Sequence, residues 1–346
     1  MPRELVAIGP RHPALREFQP PPLGPGMVRI VSEWGAPKHG TELPGYRADD
    51  VSIQTRYDDE WRCTFPLTEE TPIFPRPLGN SIVGRVVEVG EGVTAHHPGD
   101  RVYGLLPLRD EHVVAAARVA PLPPDLSVEA ALCVNAAFAA LAMRDAHVRV
   151  GDRVAVFGLG AIGLMVVQLC RLSGAEMVGA VDPIPLRRQV ALQLGADVAL
   201  DPREGDVGAE LRRLTGKQGV DVALEVSGSS RALHQAIRAV RFQGTVGVVA
   251  TYAGGAPDLF LGQEFHRNRT HVISCRSASE PHEDFTWNAA RVQRLAETLL
   301  RTGRLRAGGI IQPIVPFAEA AGAYRMIDEH PETSVKLGVR FAAARD

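Results

Sequence analysis

The sequence predicts an α/β protein made of a β-rich domain and a doubly wound parallel sheet, and three observations support this prediction. The chain has 346 residues, which is too long for one ordinary core and suits two domains. Its N-terminal third is rich in proline and glycine and carries short alternating apolar runs, typical of short strands and tight turns. After an alanine-rich helical stretch at 127–146, continuous apolar strands alternate with amphipathic helices, which indicates a parallel sheet covered on both faces.

The elements of the second half can be placed in order from their periodicity. Two further helices are expected in the tail, at 287–302 and 317–329. The predicted order is strand 153–158, helix "AIGLMVVQLCRLSG", strand "MVGAVD", helix "PLRRQVALQLG", strand "DVAL", a helix around 206–215, strand "VDVALEVSG", helix "SRALHQAIRAV" and strand "GTVGVVA".

Composition excludes several classes of partner. The formal net charge of -2 gives no electrostatic reason to expect nucleic acid or an anionic membrane. No apolar run approaches the roughly 18 residues of a membrane span, and the N-terminus lacks a signal-peptide core. The four cysteines are dispersed without a CxxC pair, so reduced thiols are expected, with Cys133 and Cys170 buried. We therefore expect a cytoplasmic protein without a nucleic-acid or membrane partner.

The strongest chemical signal is the stretch "VAVFGLGAIG", which places a GxGxxG motif between an apolar strand and a helix. In such a motif Gly158 permits the tight turn, Gly160 leaves room for a pyrophosphate, and Gly163 lets helix and strand pack closely. Asp182 follows the next strand, 19 residues after Gly163, where an acid can bond the adenosine ribose hydroxyls and repel a 2'-phosphate. The motif predicts a Rossmann domain that binds NAD in preference to NADP.

Two arginines complicate the choice of cofactor. Arg187 and Arg188 in "DPIPLRR" could attract a 2'-phosphate, although we interpret them as facing the adenine edge or solvent. The predicted cofactor-binding residues are Gly158, Gly160, Ile162, Gly163, Asp182, Arg187, Ser227 and Ala250.

Beyond these motifs, the chain resembles the medium-chain dehydrogenase/reductase superfamily of alcohol and polyol dehydrogenases. The resemblance covers nearly the whole length and rests on "PLGNSIVGRVVEVGEGVTAHHPGDRVYG", "VRVGDRVAVFGLGAIGLMVVQLCRLSGA", "LQLGADVALDP" and "VALEVSGS". It implies a GroES-like catalytic domain at 1–130 and 280–346, with the Rossmann domain inserted at 131–279. We further expect a homodimer.

The resemblance fails at the family's catalytic zinc site. Zinc-dependent members carry "CGTD" and, about 40 residues later, "GHE", whereas this sequence has "HGTE" and "GNS". His39 stands at the position of the first ligand, Asn80 at the second and Ser81 at the neighbouring acid. The third ligand position falls around Val134 and Asn135, and the four-cysteine structural zinc lobe is absent. A catalytic zinc needs about three N, S or carboxylate ligands, so we predict no metal.

Among zinc-lacking members, the sequence is most similar to the bacteriochlorophyllide a dehydrogenase-like subgroup. The shared features are "GTE", the asparagine at 135, and a tryptophan and arginine at 287 and 291. The pigment substrate of that subgroup is not carried over.

Without a metal, side chains must move the hydroxyl proton. His39 is the first candidate, since imidazole exchanges protons near neutral pH. The resemblance assigns proton relay to Thr41 and support to Glu42, and Asn80 could bond the substrate oxygen. Structural roles stay open for each: a turn cap for His39, a helix start for Thr41 and Glu42, and a loop bond for Asn80.

The predicted function is a zinc-independent, NAD-dependent oxidoreductase interconverting a secondary alcohol and a ketone of a polyol, cyclitol, sugar-derived or other secondary metabolite. Two alternatives stay open. One is an NADPH-dependent quinone or enoyl reductase, and the other is a catalytically inactive NAD-binding redox sensor. Lys38 is interpreted as solvated, "RSASEPHEDFTW" is a candidate pocket lining through Arg276, and His96 and His97 are expected at the surface.

Overall fold

The computed structural model describes residues 1–49, 53–67, 72–276 and 287–343, which fall into two compact units. Unit 1 comprises Met1–Pro123, Pro313–His330 and the chain from Leu337 onward, and unit 2 comprises Pro124–Gln312 and Pro331–Lys336. The tail therefore joins unit 1 later than the predicted boundary at 280.

The physical reason is the helix at 289–301. Its apolar face buries four side chains, and it packs against the helix at 128–140 within unit 2. The buried side chains are Val292, Ala296, Leu299 and Leu300.

Strands make up most of unit 1 and alternate with helices in unit 2, as the sequence predicts. The described strands are β1 (Arg3–Gly9), β2 (His12–Glu17), β3 (Met27–Ala36), β4 (Thr55–Asp58), β5 (Cys63–Pro66), β6 (Arg76–Pro77), β7 (Ser81–Val89), β8 (Arg101–Gly104), β9 (Glu111–Ala115), β10 (Val119–Pro121), β11 (Arg153–Phe157), β12 (Met177–Val181), β13 (Val198–Leu200), β14 (Val220–Glu225), β15 (Val240–Val248), β16 (His271–Ser274), β17 (Ile311–Pro316) and β18 (Lys336–Arg340).

Among the described residues, the helices expected from periodicity are all present, including both tail helices. The helices of the structure are α1 (His39–Arg47), α2 (Val128–Ala140), α3 (Ala161–Leu172), α4 (Pro185–Gln193), α5 (Val207–Leu214), α6 (Ser230–Ala239), α7 (Glu264–Arg267), α8 (Ala289–Arg301) and α9 (Ala320–Glu329). Of these, α1 and α7 are two further helices that periodicity did not predict.

Unit 1 is organised around β3, the long strand of its main sheet. The strand order is β10-β8-β7-β3-β18-β17, and β9 also pairs with β3. β3 and β7 are antiparallel, and the last residue of β3, Ala36, pairs with the first residue of β7, Ser81. Segments 37–42 and 78–80 therefore lie beyond the same end of these two strands.

Unit 2 contains a parallel sheet whose described strands follow the order β13-β12-β11-β14-β15-β16. β11 and β12 are almost wholly buried, because helices cover both faces of a parallel sheet. Chain order reverses between β11 and β14, and ligands of such sheets bind at the carboxyl ends of the strands at this point. The glycine motif follows β11.

Some surface and core expectations can also be compared with the structure. Cys133 and Cys170 are buried free thiols, as predicted. The expectation for His96 is wrong: it is buried, with Nε2 3.2 Å from the carbonyl of Ala116, whereas His97 is exposed. No helix in the described ranges is long and apolar enough to cross a membrane.

Candidate functional site

The glycine motif forms a tight turn between β11 and α3. Gly158 has φ +93°, and a Cβ there would lie 2.7 Å from the backbone nitrogen of Ser227. A Cβ on Gly163 would lie 1.8 Å from the carbonyl oxygen of Gly158. A Cβ on Gly160 would meet no described atom within 4 Å. Gly158 and Gly163 are thus required by the fold, whereas Gly160 borders open space at the start of α3.

Asp182 fixes this turn to the end of β12. Its side chain is buried, and its two carboxylate oxygens accept hydrogen bonds from the backbone N–H of Leu159 and of Ile184, each at 2.8 Å. A carboxylate oxygen has two lone pairs, so each can accept a second hydrogen bond. Asp182 is therefore held at the glycine turn with acceptor capacity for two hydroxyls.

The guanidinium groups of Arg187 and Arg188 are both held by protein oxygens. Arg187 donates to the carbonyl of Ser334 at 3.1 Å, and its Nη1 lies 3.9 Å from Asp182. Arg188 donates to the Asp201 carboxylate at 2.9 Å and to the Asp182 carbonyl at 2.8 Å. A solvent-facing position for these arginines is therefore not what the structure shows.

Burial and the loss of hydration lower the pKa of Arg187, with the nearby carboxylate of Asp182 acting in the opposite direction. The pKa of Asp201 lies well below its usual value, mainly because Arg203 donates to it. The guanidinium groups of Arg187, Arg188 and Arg203 thus all donate to carboxylates or carbonyls of the protein.

Glu225 is a site residue that the sequence reasoning missed. It ends β14 fully buried, and its carboxylate accepts from the Ser227 N–H at 2.7 Å and from the Tyr252 hydroxyl at 2.7 Å. Burial raises the pKa of Glu225, and the hydrogen bonds that the carboxylate accepts lower it by a smaller amount. The carbonyl of Glu225 accepts from the Ala250 N–H at 3.2 Å. The available signal was an acid ending an apolar strand in "VALEVSGS".

These contacts bring most of the predicted cofactor-binding residues together at the carboxyl ends of the parallel strands. Ser227 borders Gly158, Ala250 is tied to Glu225, and Ile162 lies half-buried in the first turn of α3.

The predicted catalytic segment lies in unit 1, where α1 begins at His39. The Lys38 carbonyl accepts from the N–H groups of Thr41 and Glu42, each at 3.0 Å. The Glu42 carboxylate accepts from the Lys38 N–H at 2.5 Å, the Gly79 N–H at 2.6 Å and the Tyr324 hydroxyl at 3.3 Å. Glu42 therefore joins the start of α1, the 78–80 turn and helix α9, which is a structural role.

His39 also makes a contact that bears on its predicted role. Its Nε2 accepts the backbone N–H of Leu337 in β18 at 3.0 Å. An imidazole that accepts at Nε2 is neutral with its proton on Nδ1, and protonation at Nε2 would break the bond. This geometry is at odds with His39 as the proton acceptor and favours the turn-stabilising alternative.

We call segments 37–42 and 78–80, beyond the ends of β3 and β7, the corner. Its other side chains make fewer hydrogen bonds than Glu42 does. Thr41 is exposed, and Asn80 is half-buried, with its Oδ1 3.5 Å from the Ser81 hydroxyl. The Asn80 N–H donates to the Ala36 carbonyl at 3.4 Å, which fixes the backbone of Asn80 at the end of β3. Lys38 is half-buried, and burial lowers its pKa, opposed by the charge of Glu42.

The tail contributes one further cluster within unit 2. The guanidinium carbons of Arg144 and Arg291 lie 3.5 and 3.8 Å from the ring centroid of Trp287. Most of the candidate pocket segment "RSASEPHEDFTW", from 277 to 286, lies outside the described residues.

Known dehydrogenases are similar in sequence to this chain over nearly its whole length. The family model described as zinc-binding dehydrogenase matches residues 161–294. The D-guloside 3-dehydrogenase of Escherichia coli K12 is 39% identical over 349 residues, covering 98% of this chain and all of that protein. The chain belongs to the medium-chain dehydrogenase/reductase superfamily. It is an oxidoreductase of the alcohol dehydrogenase-like group.

Solved structures of the superfamily share the fold. The 2R,3R-butanediol dehydrogenase of Bacillus subtilis is 26% identical, with a TM-score of 0.75 over 98% of this chain and 99% of that one. A zinc-binding dehydrogenase of Sinorhizobium meliloti 1021, solved with NADP bound, is 21% identical with the same TM-score over 98% and 99% of the two chains. At 21% identity, the similarity to the Sinorhizobium meliloti structure is evidence for a shared fold alone.

Zinc is the metal that superfamily membership implies, and the residues at its family positions do not fit it. His39 already accepts a hydrogen bond at Nε2, Asn80 offers an amide, and Val134 is a buried apolar side chain. Neighbouring Cys133 is buried, which raises its pKa to about 12 and disfavours the thiolate that binds zinc. Within the described ranges, no group of three or more His, Cys, Asp or Glu side chains could hold a metal ion.

Proposed function

We propose that this protein is a zinc-independent, NAD-dependent oxidoreductase that interconverts a secondary alcohol and a ketone. The main support is the Asp182 carboxylate, which is buried at the glycine turn and can accept hydrogen bonds from two ribose hydroxyls. The substrate class is a polyol, cyclitol or sugar-derived metabolite. Similarity to a D-guloside 3-dehydrogenase makes a ring hydroxyl of a hexoside the first candidate.

The preference for NAD over NADP is argued from charge. A 2'-phosphate beside Asp182 would place two anionic groups together in a partly desolvated site. Arg188 could compensate only by leaving Asp201, and Arg187 only by leaving the carbonyl of Ser334. Releasing the buried carbonyl of Ser334 leaves that acceptor unpaired, which costs roughly 1–3 kcal/mol. Asp201 would keep its hydrogen bonds from Arg203 but lose an ion-pair partner.

The chemistry divides between cofactor and protein. A bound nicotinamide accepts or donates the hydride, and the chain has to move the hydroxyl proton and stabilise the oxygen. Asn80 is proposed to donate its amide N–H to that oxygen, because its backbone is fixed at the end of β3 and its amide nitrogen makes no hydrogen bond with a described residue. Thr41 and Glu42 shape the corner that holds it.

Two alternatives predict other cofactors or other rates. A quinone or enoyl reductase of this superfamily would use NADPH, which the buried carboxylate of Asp182 disfavours. A redox sensor would bind NAD without turnover, and the unmatched zinc positions are the observation that favours it.

Assembly and location are also proposals. β16 is the last described strand of its sheet and its side chains are largely exposed, so pairing with a second copy would cover an open edge and give a homodimer. Free cysteines suit a reducing compartment such as the cytoplasm.

Initial rates with NAD⁺ and NADP⁺ against hexosides, polyols and cyclitols test the proposal, with enones and quinones assayed in the reductive direction. We expect NADH formation from at least one secondary alcohol, with NADP⁺ clearly poorer in kcat/KM. NADPH oxidation by enones without alcohol oxidation would identify a reductase. NAD binding without turnover on any substrate would identify a sensor.

A further inference from the structure

We propose that the Lys38 side chain is the acid/base of this reaction, exchanging a proton directly with the substrate oxygen. The inference rests on the proposed function, since it names the residue that replaces Lewis acidity. It assigns to Lys38 the role that the sequence analysis gave first to His39.

The position of Lys38 follows from the strand register. Ala36 and Ser81 are paired at the end of β3 and β7, so Lys38 and Asn80 extend beyond the same end of the sheet. An amine and an amide are thereby placed at one corner. These are the two groups that a metal-free alcohol dehydrogenase needs there, one to move the proton and one to donate to the oxygen.

The other titratable groups at this corner are already committed. His39 accepts at Nε2 from Leu337, so gaining a proton there breaks a backbone hydrogen bond. Glu42 accepts two backbone N–H groups and the Tyr324 hydroxyl, and protonation would weaken all three. Thr41 has a hydroxyl, which does not ionise near neutral pH.

Lys38 differs from these groups in its surroundings. No described residue hydrogen-bonds its Nζ, and Glu42 is the charged group that acts on it. His39, beside it, is neutral in the observed hydrogen bond, and Tyr324 faces Glu42 from α9. Burial outweighs the attraction of Glu42 and lowers the pKa of Lys38, so its neutral amine forms at lower pH than that of an exposed lysine.

The step balances without any further reactant. In oxidation the hydroxyl proton passes to the lone pair of neutral Lys38, the C–H hydrogen leaves with its electron pair for the nicotinamide, and the C=O bond forms. The alcohol loses two electrons and NAD⁺ gains them. In reduction the Lys38 ammonium returns the proton to the forming alkoxide.

The pH dependence has a definite sign. Oxidation needs neutral Lys38, so kcat should rise with pH and level off above the pKa of this group. Ketone reduction needs the ammonium and should fall over the same range.

Competitive labelling tests the amine without any substrate. The chain has only three lysines, Lys38, Lys217 and Lys336, so peptide mass spectrometry can follow each one as acetic anhydride reacts across a pH series. Lys217 is exposed and serves as the internal control. We expect Lys38 to become reactive at clearly lower pH than Lys217. Equal titration, or titration of Lys38 at higher pH, overturns the proposal whatever the enzyme's substrate.

Variants test the proton transfer itself. Lys38→Met should lower kcat by roughly two to four orders of magnitude, with NADH affinity unchanged, and added primary amines should restore part of the rate. Lys38→Arg should remain slow and lose the rise of kcat with pH, because guanidinium stays protonated. Lys217→Met should behave as wild type, and His39→Gln should keep the pH-dependent rise.

Among the variants, three results would also overturn the inference. These are a kcat of Lys38→Met within a few-fold of wild type, a loss of kcat that added amines do not restore, and a rise of kcat with pH that Lys38→Arg keeps. A wild-type enzyme inactive with every alcohol and both nucleotides would instead refute the proposed function, while the labelling result would still decide the state of Lys38.

Discussion

Replacing Gly160 by valine is expected to weaken dinucleotide binding while leaving the fold intact. Gly160 has φ -67° and ψ -176°, an extended conformation that any residue adopts, and a Cβ there meets no described atom within 4 Å. The added side chain would fill the space in which the glycine motif is expected to hold a pyrophosphate. Overpacking of about 1–3 kcal/mol corresponds to roughly a 5- to 150-fold weaker Kd.

The matched control is Gly163→Ala, which should fail for a different reason. Its Cβ would lie 1.8 Å from the Gly158 carbonyl, so helix α3 must move away from β11 and stability should fall by about 1–3 kcal/mol or more. NADH titration and thermal unfolding separate the two outcomes. If Gly160→Val binds NADH as wild type does, the pyrophosphate is not held at this turn.

Asp182→Ala should reduce the preference for NAD over NADP. The substitution removes the proposed ribose hydrogen bonds and the repulsion of a 2'-phosphate. Charge-assisted hydrogen bonds of about 1.5–3 kcal/mol predict roughly a 10- to 150-fold loss of NAD affinity. It should also lower stability, because the buried N–H groups of Leu159 and Ile184 lose their acceptor.

Asp182→Asn keeps the size of the side chain and removes the charge, and its single amide oxygen can accept from one of the two N–H groups, so it should recover part of the lost stability. Dissociation constants for NADH and NADPH should show the gap narrowing in both variants. Equal affinity of the wild type for the two nucleotides would contradict the assignment of Asp182 as the discriminator.

The geometry of the glycine turn and its contact with Asp182 was largely predictable because its constraints are local. The glycine positions follow from a strand, a turn and a helix adjacent in sequence, and Asp182 ends the next apolar strand. The parallel sheet was predictable for the same reason, since each strand and helix carries its own periodicity.

The contacts of the predicted catalytic segment, residues 38–42, were less predictable because they join residues that are distant in sequence. His39 is bonded by Leu337, 298 positions away, and Glu42 by Tyr324, 282 positions away. No local pattern reveals that these acceptors are occupied. The division into compact units also differs from the predicted boundary at 280, because packing, which local periodicity does not show, places helix α8 in unit 2.

Metal content measured alongside turnover tests the central claim most directly. Zinc per chain is determined by elemental analysis on the purified protein, and NADH formation from the best secondary alcohol is measured before and after treatment with a chelator. We predict far less than stoichiometric zinc and an unchanged rate, because the residues at the family's zinc positions do not form a ligand set. Stoichiometric zinc, lost together with the rate and restored with it, would contradict the account.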